Sequence, residues 1–406
     1  MSKRTFLYLL STALIVATTL MVGTSLFAQQ RARRDPARLI AHEWGTFTTV
    51  VGEDGSAMAW RPLIAPSGLP AFVHGGKGVD WKGLYRGTVR METPVIYFYS
   101  DRAANVSVHV AFPQGTVTEW FPEAKNKADH SIGWQAVQIL PGLDTSFPME
   151  SAASHYYPAR ETDSAPLLVA TKNGNETEKF LFYRGVGSFD LPLTVKVTAM
   201  SDGGAVALTS PGKNRVAKAI LFENRGGKQG YSVADLTADD VRVARPVLSG
   251  DLDALRRDFV QMLTAEGLYD KEAAAMVNAW NDSWFEEGLR VFYLVPRKVT
   301  DAVLPLTIEP APAQTVRVLV GRAEIITPEM EAAVAEQLAT IDASPDASGE
   351  LSPDATRKIA KLVAQHGRFL EPILRRVMAK TSDEQAKVQI GYLINTSIGV
   401  ANAEPH

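Results

Sequence analysis

The chain of 406 residues contains no cysteine. That absence excludes disulfides, thiolate metal sites, a cysteine nucleophile and the lipidated cysteine of a bacterial lipoprotein. It suits an oxidising compartment, where a free thiol is a liability. Positive charge is not in excess either. The 42 Lys and Arg face 45 Asp and Glu, for a formal net charge of -3, so nucleic acid is not an expected partner. The histidines (His42, His74, His109, His130, His155, His366 and His406) are scattered, with no HExxH pair and no calcium-loop pattern. No metal and no other cofactor is expected. The nucleophile elbow G-x-S-x-G is missing. Its nearest approach, GYSVA around Ser232, follows the hydrophilic NRGGKQ rather than a buried strand. The glycine-rich HGGKG from His74 has no Ser or Thr after Lys77 and no helix pattern beyond it, so it reads as a turn rather than a phosphate loop.

What is present is an ordinary globular composition, 46% hydrophobic and 21% charged, long enough for two or three domains. The first segment is an address. Lys3 and Arg4 precede an apolar run from Phe6 to Val22, and small residues lead to Ala28. This is the pattern of a secretory signal peptide over residues 1–28, with the mature chain starting near Gln29. Two alternatives accompany it. Left uncleaved, the run is long enough to anchor the chain, since about 20 apolar residues span a bilayer. Arg31, Arg33 and Arg34 just beyond it oppose ordinary translocation, and SKRTFLY resembles the twin-arginine export signature with Lys3 in place of the first arginine. The expected location is periplasmic or extracellular, with membrane contact only through a retained N-terminal segment.

Residues 29–248 carry mostly β signals. TPVIYFYS, ANVSVHVAFP and TVTEWFP read as three strands of a meander, and PLLVAT, EKFLFYRG, LPLTVKVTAM, AVALTS and AKAILFEN follow between Gly-, Asn- and Asp-rich breaks. Near Gly250 the spacing becomes helical. Leu252, Leu255, Phe259 and Leu263 recur on one face, then Met276, Trp280 and Trp284. Strand-like LRVFYLVPR, LPLTIEP and TVRVLVGRAEII come next, so residues 249–341 form a mixed α/β segment. Composition marks 342–353 as a linker. Residues 354–406 form a helical tail, with starts at Ser352-Pro353 and at the capping box Thr381–Glu384. The resulting expectation is an α+β protein with an N-terminal β-sandwich or jelly-roll-like domain, a mixed α/β segment and a short helical tail.

HEWGTF near the mature start, together with SWFEEGLRVFYLVPR, LPLTIEPAP and VGRAEIITPE, resembles segments of a group of exported bacterial proteins of unassigned function. The resemblance covers most of the mature chain. It implies a shared fold and transfers no chemistry.

Candidate chemistry is confined to strand carboxylates and aromatics. Glu43, Glu92 and Glu119 each sit among apolar or aromatic β residues, and a glycosidase needs two carboxyls across the scissile bond. Their ordinary reading is a solvent-facing position or a salt bridge to Arg90 or Arg61. His42, Trp44 and Trp120 are candidates for ligand contact, because aromatic faces on a β-sandwich can stack on sugars or peptides. Their ordinary reading is core. In a strand, His42, Trp44, Thr46 and Thr48 share one side and Glu43, Gly45, Phe47 and Thr49 the other. The HE pair is therefore not a ready-made acid–base couple, and HEWGTF reads as a packed early strand in which His42 or Glu43 makes a buried polar contact. Two functions remain. The first is a non-catalytic exported protein that binds a ligand or partner, such as a glycan or an envelope protein, through the β domain. The alternative is a secreted glycoside hydrolase using the strand glutamates. Convergence of Glu43, Glu92 and Glu119 in one cleft would favour the enzyme; ion-paired or scattered glutamates would favour the binder.

Overall fold

The computed structural model describes residues 38–60, 69–75, 87–151, 154–198, 204–342 and 351–400. The expected signal peptide, most of the expected linker, Arg61 and the HGGKG turn beyond Gly75 lie outside the described residues. Strands are numbered in chain order. The largest sheet has nine, from edge to edge β14 (Lys228–Asp235), β13 (Lys218–Arg225), β16 (Gly288–Val295), β18 (Gln314–Ile325), β1 (Ile40–Val51), β3 (Val89–Tyr99), β10 (Leu181–Gly187), β5 (Gly115–Phe121) and β2 (His74–Gly75). A second sheet runs β17 (Leu306–Glu309), β4 (Ala104–Ala111), β7 (Ser131–Ile139), β8 (Leu167–Thr171) and β9 (Gly174–Glu178), with β6 (Asn126–Ala128) also on β7. A third joins β11 (Thr194–Thr198), β12 (Ala205–Thr209) and β15 (Asp240–Ala244).

The class is α+β. One face of the large sheet packs on the two smaller sheets. Phe47, Met91, Phe98, Tyr183 and Leu221 share a core there with Val108, Trp134 and Leu167 of the second sheet and Val195 and Leu208 of the third. The opposite face packs on α1 (Leu252–Ala265) and α2 (Asp270–Trp284), where Trp44, Tyr97, Phe222 and Phe292 meet Phe259, Met276 and Trp284. Buried on both sides, the central strands carry apolar residues on both faces, interrupted by a few buried polar and charged ones. β1 is buried at every position from Ala41 to Val51.

Two expectations about organisation change. TPVIYFYS, ANVSVHVAFP and TVTEWFP are strands, but not a meander: β3 and β5 belong to the large sheet and β4 to the second. β3, inside the large sheet, is buried almost throughout, whereas β4 and the near-edge β5 alternate between buried and accessible positions. Nor does the large sheet stop at residue 248. β16 and β18 lie at its centre, and β18 pairs with β1 in register from Ile40↔Gln314 to Val51↔Ile325. That pair is parallel, while the other described ladders are antiparallel. It joins the two ends of the β-rich chain.

The remaining α-helices are α3 (Arg297–Val303), α4 (Pro328–Leu338), α5 (Pro353–His366), α6 (Leu370–Lys380) and α7 (Glu384–Val400). Thr327 and Ser352 cap α4 and α5 as expected, with proline next. At α7 the cap falls on Asp383, whose carboxylate accepts from the Gln385 amide at 2.9 Å, two residues beyond the expected Thr381. The tail helices share a core with the sheet: Ile359, Leu362, Ile373 and Leu374 pack with Val50, Trp60 and Ile326.

Candidate functional site

Glu43 points to the sandwich side of the large sheet and is fully buried. Arg317, its register partner on β18, donates through Nε to Glu43 Oε2 at 2.5 Å, and the Tyr183 hydroxyl donates to Oε1. Arg317 also donates to Asp301 Oδ1 at 2.8 Å. Burial works against the Arg317 charge, but Glu43 outweighs it and its pKa is raised. Tyr183 is raised too, by burial and then by the Glu43 charge. The carboxylate is thus a neutralised interior group with no approach from solvent.

His42 lies on the opposite face, as strand alternation requires. Its Nδ1 is 2.7 Å from Glu272 Oε2 near the start of α2. Glu272 also accepts from the Tyr99 hydroxyl at 2.9 Å and the Tyr269 amide at 2.8 Å. With donors on both oxygens, Glu272 is an acceptor, so His42 carries its proton on Nδ1. His42 Nε2 is buried without a hydrogen-bond partner among the described residues, and Tyr269 and Tyr99 flank the ring at 4.5 and 5.3 Å between centroids. Burial and then the Glu272 charge raise the Tyr99 pKa. Trp44, on the same face, is fully buried and lies 6.1 Å from the Tyr97 ring. Considered as ligand contacts, His42 and Trp44 are core residues instead, because β1 is covered on both sides. Gly45, next to Trp44, lets Pro94 approach: a Cβ there would stand 2.9 Å from Pro94 Cα.

Glu92 and Glu119 share the helix-side face and join a row of buried and part-buried polar groups, most of them charged, that crosses six adjacent strands. From β5 it runs Glu119, Arg184 on β10, Glu92 on β3, Thr48 on β1, Arg322 and Glu324 on β18, and Arg290 on β16. Arg184 Nη2 donates to Glu119 Oε1 at 2.7 Å. The Glu92 charge acts on both Arg184 and Arg322, and Glu92 accepts from the Thr48 hydroxyl. Arg322 donates to Glu324 at 3.2 Å and Glu286 at 2.9 Å, and Arg290 donates to Glu324 at 2.7 Å. A bulge in β3 aims Glu92 into this row: Thr93 and Pro94 there oppose the single Gly45 of β1, and Thr93 holds φ 48. The row ends on a helix terminus. Arg290 donates to the carbonyls of Trp284, Glu286 and Glu287, and Asn224 to that of Phe285, so four successive carbonyls closing α2 are bound by sheet side chains. Burial lowers the Arg290 pKa despite Glu324.

Trp120 is half-buried and keeps exposed surface. Lys127 lies over its ring at 5.8 Å, and the His74 ring stacks at 6.5 Å. His74 Nε2 meets Glu176 Oε1 at 2.8 Å. Partial burial pushes the Glu176 pKa up, but the His74 hydrogen bond, the Glu123 amide and the His74 charge together hold it below the usual carboxylate range. Glu43 is therefore separated by the sheet from Glu92 and Glu119. The sequence did not single out Arg184, Arg290, Arg317, Arg322, Glu272 or Glu324. The available signal was a lone charge inside an apolar strand, which demands a partner. Among the described residues, no cluster of three His, Asp or Glu side chains stands within reach of one metal ion.

A concavity among the described residues lies elsewhere. A trough of about 540 Å³ opens between α1 and the ends of β13, β14 and β16. Ile220, Val233, Met262 and Leu294 give it an apolar lining, and Arg215, Lys218 and Glu266 add charge. Its volume suits a small ligand or one to two large side chains.

No family model matches the chain, and no curated protein matches it. Among solved structures it is similar to the Fcho1 Mu homology domain of Danio rerio with bound Eps15 peptide, at 9% identity and TM-score 0.29, over 72% of this chain and 97% of that one. It is also similar to the yeast delta-COP-I mu-homology domain, at 9% identity and TM-score 0.26 over 72% and 97% of the two chains. The same domain complexed with a Dsl1 WxWxV peptide gives 8% identity and TM-score 0.25 over 72% and 98%. At these scores the site is read from its own geometry. Among the described residues no helix is long and apolar enough to cross a membrane.

Proposed function

We propose that the protein is an exported, non-catalytic binding protein that takes its ligand or envelope partner in the trough beside α1. The observation that carries this reading is the disposition of the strand glutamates. They lie on two faces of the large sheet, and each is held by a guanidinium or a row of them: Glu43 by Arg317, Glu119 by Arg184, Glu92 between Arg184 and Arg322. A glycosidase acid is the opposite case, a carboxyl kept protonated in apolar surroundings beside a second carboxyl. The trough, in contrast, offers apolar surface with charged groups at its margin, the composition of a binding site.

Two measurements test it. Fractionation of native cells with N-terminal sequencing should find a mature chain starting near Gln29 outside the cytoplasm. Purified protein incubated with peptidoglycan and a panel of polysaccharides should release no reducing ends. Release that Glu92→Gln and Glu119→Gln both abolish would replace the binder with a glycoside hydrolase.

A further inference from the structure

Among the described residues the large sheet keeps an unpaired edge on β14. Most other edges are short or polar. β2 has two residues, β17 has four, β9 reads GNETE, and β11 and β15 carry Lys196 and Arg242. Such features blunt an edge against strand addition. β14, eight residues long, pairs only with β13 among the described strands. Its first part is covered, because the Gly250 amide donates to the Gln229 carbonyl at 2.7 Å. That bond shows which way the backbone faces. The Gln229 carbonyl points away from β13, so by the period of two the main-chain groups of Tyr231 and Val233 point to the open edge as well. Val233 is 46% exposed, opposes Ile220 in register and lines the trough. Two positions on, Asp235 presents a carboxylate 72% exposed, touched only loosely by Lys218 at 3.6 Å.

We propose that β14 captures an extended peptide segment as an additional strand, with an apolar residue opposite Val233 entering the trough and a lysine or arginine opposite Asp235. This rests on the trough being the binding site and names the class of ligand. Outward main-chain donors and acceptors select a peptide backbone rather than a sugar or lipid. The adjacent apolar cavity selects one side chain, and the exposed Asp235 carboxylate selects the charge of its neighbour.

The test begins with a phage-displayed random heptapeptide library selected on the intact protein. Enriched sequences should place a basic residue two positions from an apolar one. The best peptide, synthesised and labelled, should lose about tenfold or more in affinity for Val233→Pro, which removes the outward amide. Asp235→Lys should weaken it, and exchanging the peptide's base for glutamate should restore binding to that variant. N-methylation of alternate peptide residues should abolish binding to the unaltered protein, so the result stands even if Val233→Pro folds poorly. Amide exchange at Tyr231 and Val233 should slow in the complex. Failure to enrich, or a peptide indifferent to N-methylation and to Val233→Pro, overturns the proposal. So does concentration-dependent protection of these amides in the free protein, which would assign the edge to a second copy. If small apolar fragments still bind the trough and Met262→Trp excludes them, the binder reading stands without the peptide. If they do not, both readings fail.

Discussion

Glu43 and Arg317 stand side by side in the parallel pair at the centre of the large sheet, 2.5 Å from Oε2 to Nε and 274 residues apart in sequence. Both are buried, so the pair fixes which two strands meet at the centre of the fold. Breaking such a pair leaves an uncompensated interior charge. Glu43→Gln is therefore expected to cost about 3–5 kcal/mol in denaturant unfolding. The joint replacement Glu43→Leu with Arg317→Met should recover much of that loss, because no charge is then stranded. A Glu43→Gln protein of unchanged stability would show that Asp301, the other carboxylate bound by Arg317, is enough to compensate the buried guanidinium.

Trp44→Ala removes a fully buried aromatic from the helix-side core. The expected loss is roughly 3–5 kcal/mol. Trp120→Ala, at a half-buried position, should cost clearly less by the same unfolding measurement. Equal costs would contradict the assignment of Trp44 to the core and Trp120 to the surface.

The His42 contact is asymmetric. Glu272→Leu strands three donors, from His42, Tyr99 and Tyr269. His42→Leu removes one donor and also the orphaned Nε2. Since unsatisfied buried polar groups carry most of the penalty, Glu272→Leu should lower the melting temperature more than His42→Leu. The reverse order would mean that the histidine, not the glutamate, organises the cluster.

Glu176 gives a pH dependence. Its carboxyl is held below the usual value of 4.5 by His74 and the Glu123 amide, against the opposing effect of partial burial. A carboxylate depressed in the folded state adds stability above its unfolded value and loses it as the pH falls through the folded value. Wild type should thus be more stable than Glu176→Gln near neutrality, and the difference should shrink on acidification below about 4.5. A difference that persists unchanged in acid would contradict the pairing.

The tail is expected to be part of the main core. Truncation at Ser352 would uncover Val50, Trp60 and Ile326 and remove Arg376 from Glu331. The shortened protein should be insoluble or melt at much lower temperature. A truncated chain as stable as the whole would make the helices an appendage.

The sequence made strands and helices legible where periodicity was strong: the two-sided burial of AHEWGTFTTV, the helical stripe from Leu252 to Leu263, and the proline-led starts at Thr327 and Ser352. It also separated His42 from Glu43 by face. It did not reveal that β1 pairs with β18, because a parallel contact across most of the chain leaves no local trace. For the same reason the partners of the glutamates were unreadable. Arg184, Arg317 and Arg322 are far from them in sequence and meet them only through sheet order. The trough was invisible too, since Ile220, Val233, Met262 and Leu294 are unremarkable apolar residues until the helix and the strands are brought together.

The central claim is that ligands enter the trough by α1 and not a carboxylate cleft. Methyl-detected NMR of the intact protein with a fragment library tests this directly. Hits should shift the methyls of Ile220, Val233, Met262 and Leu294 and leave Val95, on the helix-side face that carries Glu92 and Glu119, unmoved. Hits that shift Val95 instead, with Glu92→Gln or Glu119→Gln abolishing them, would contradict the account.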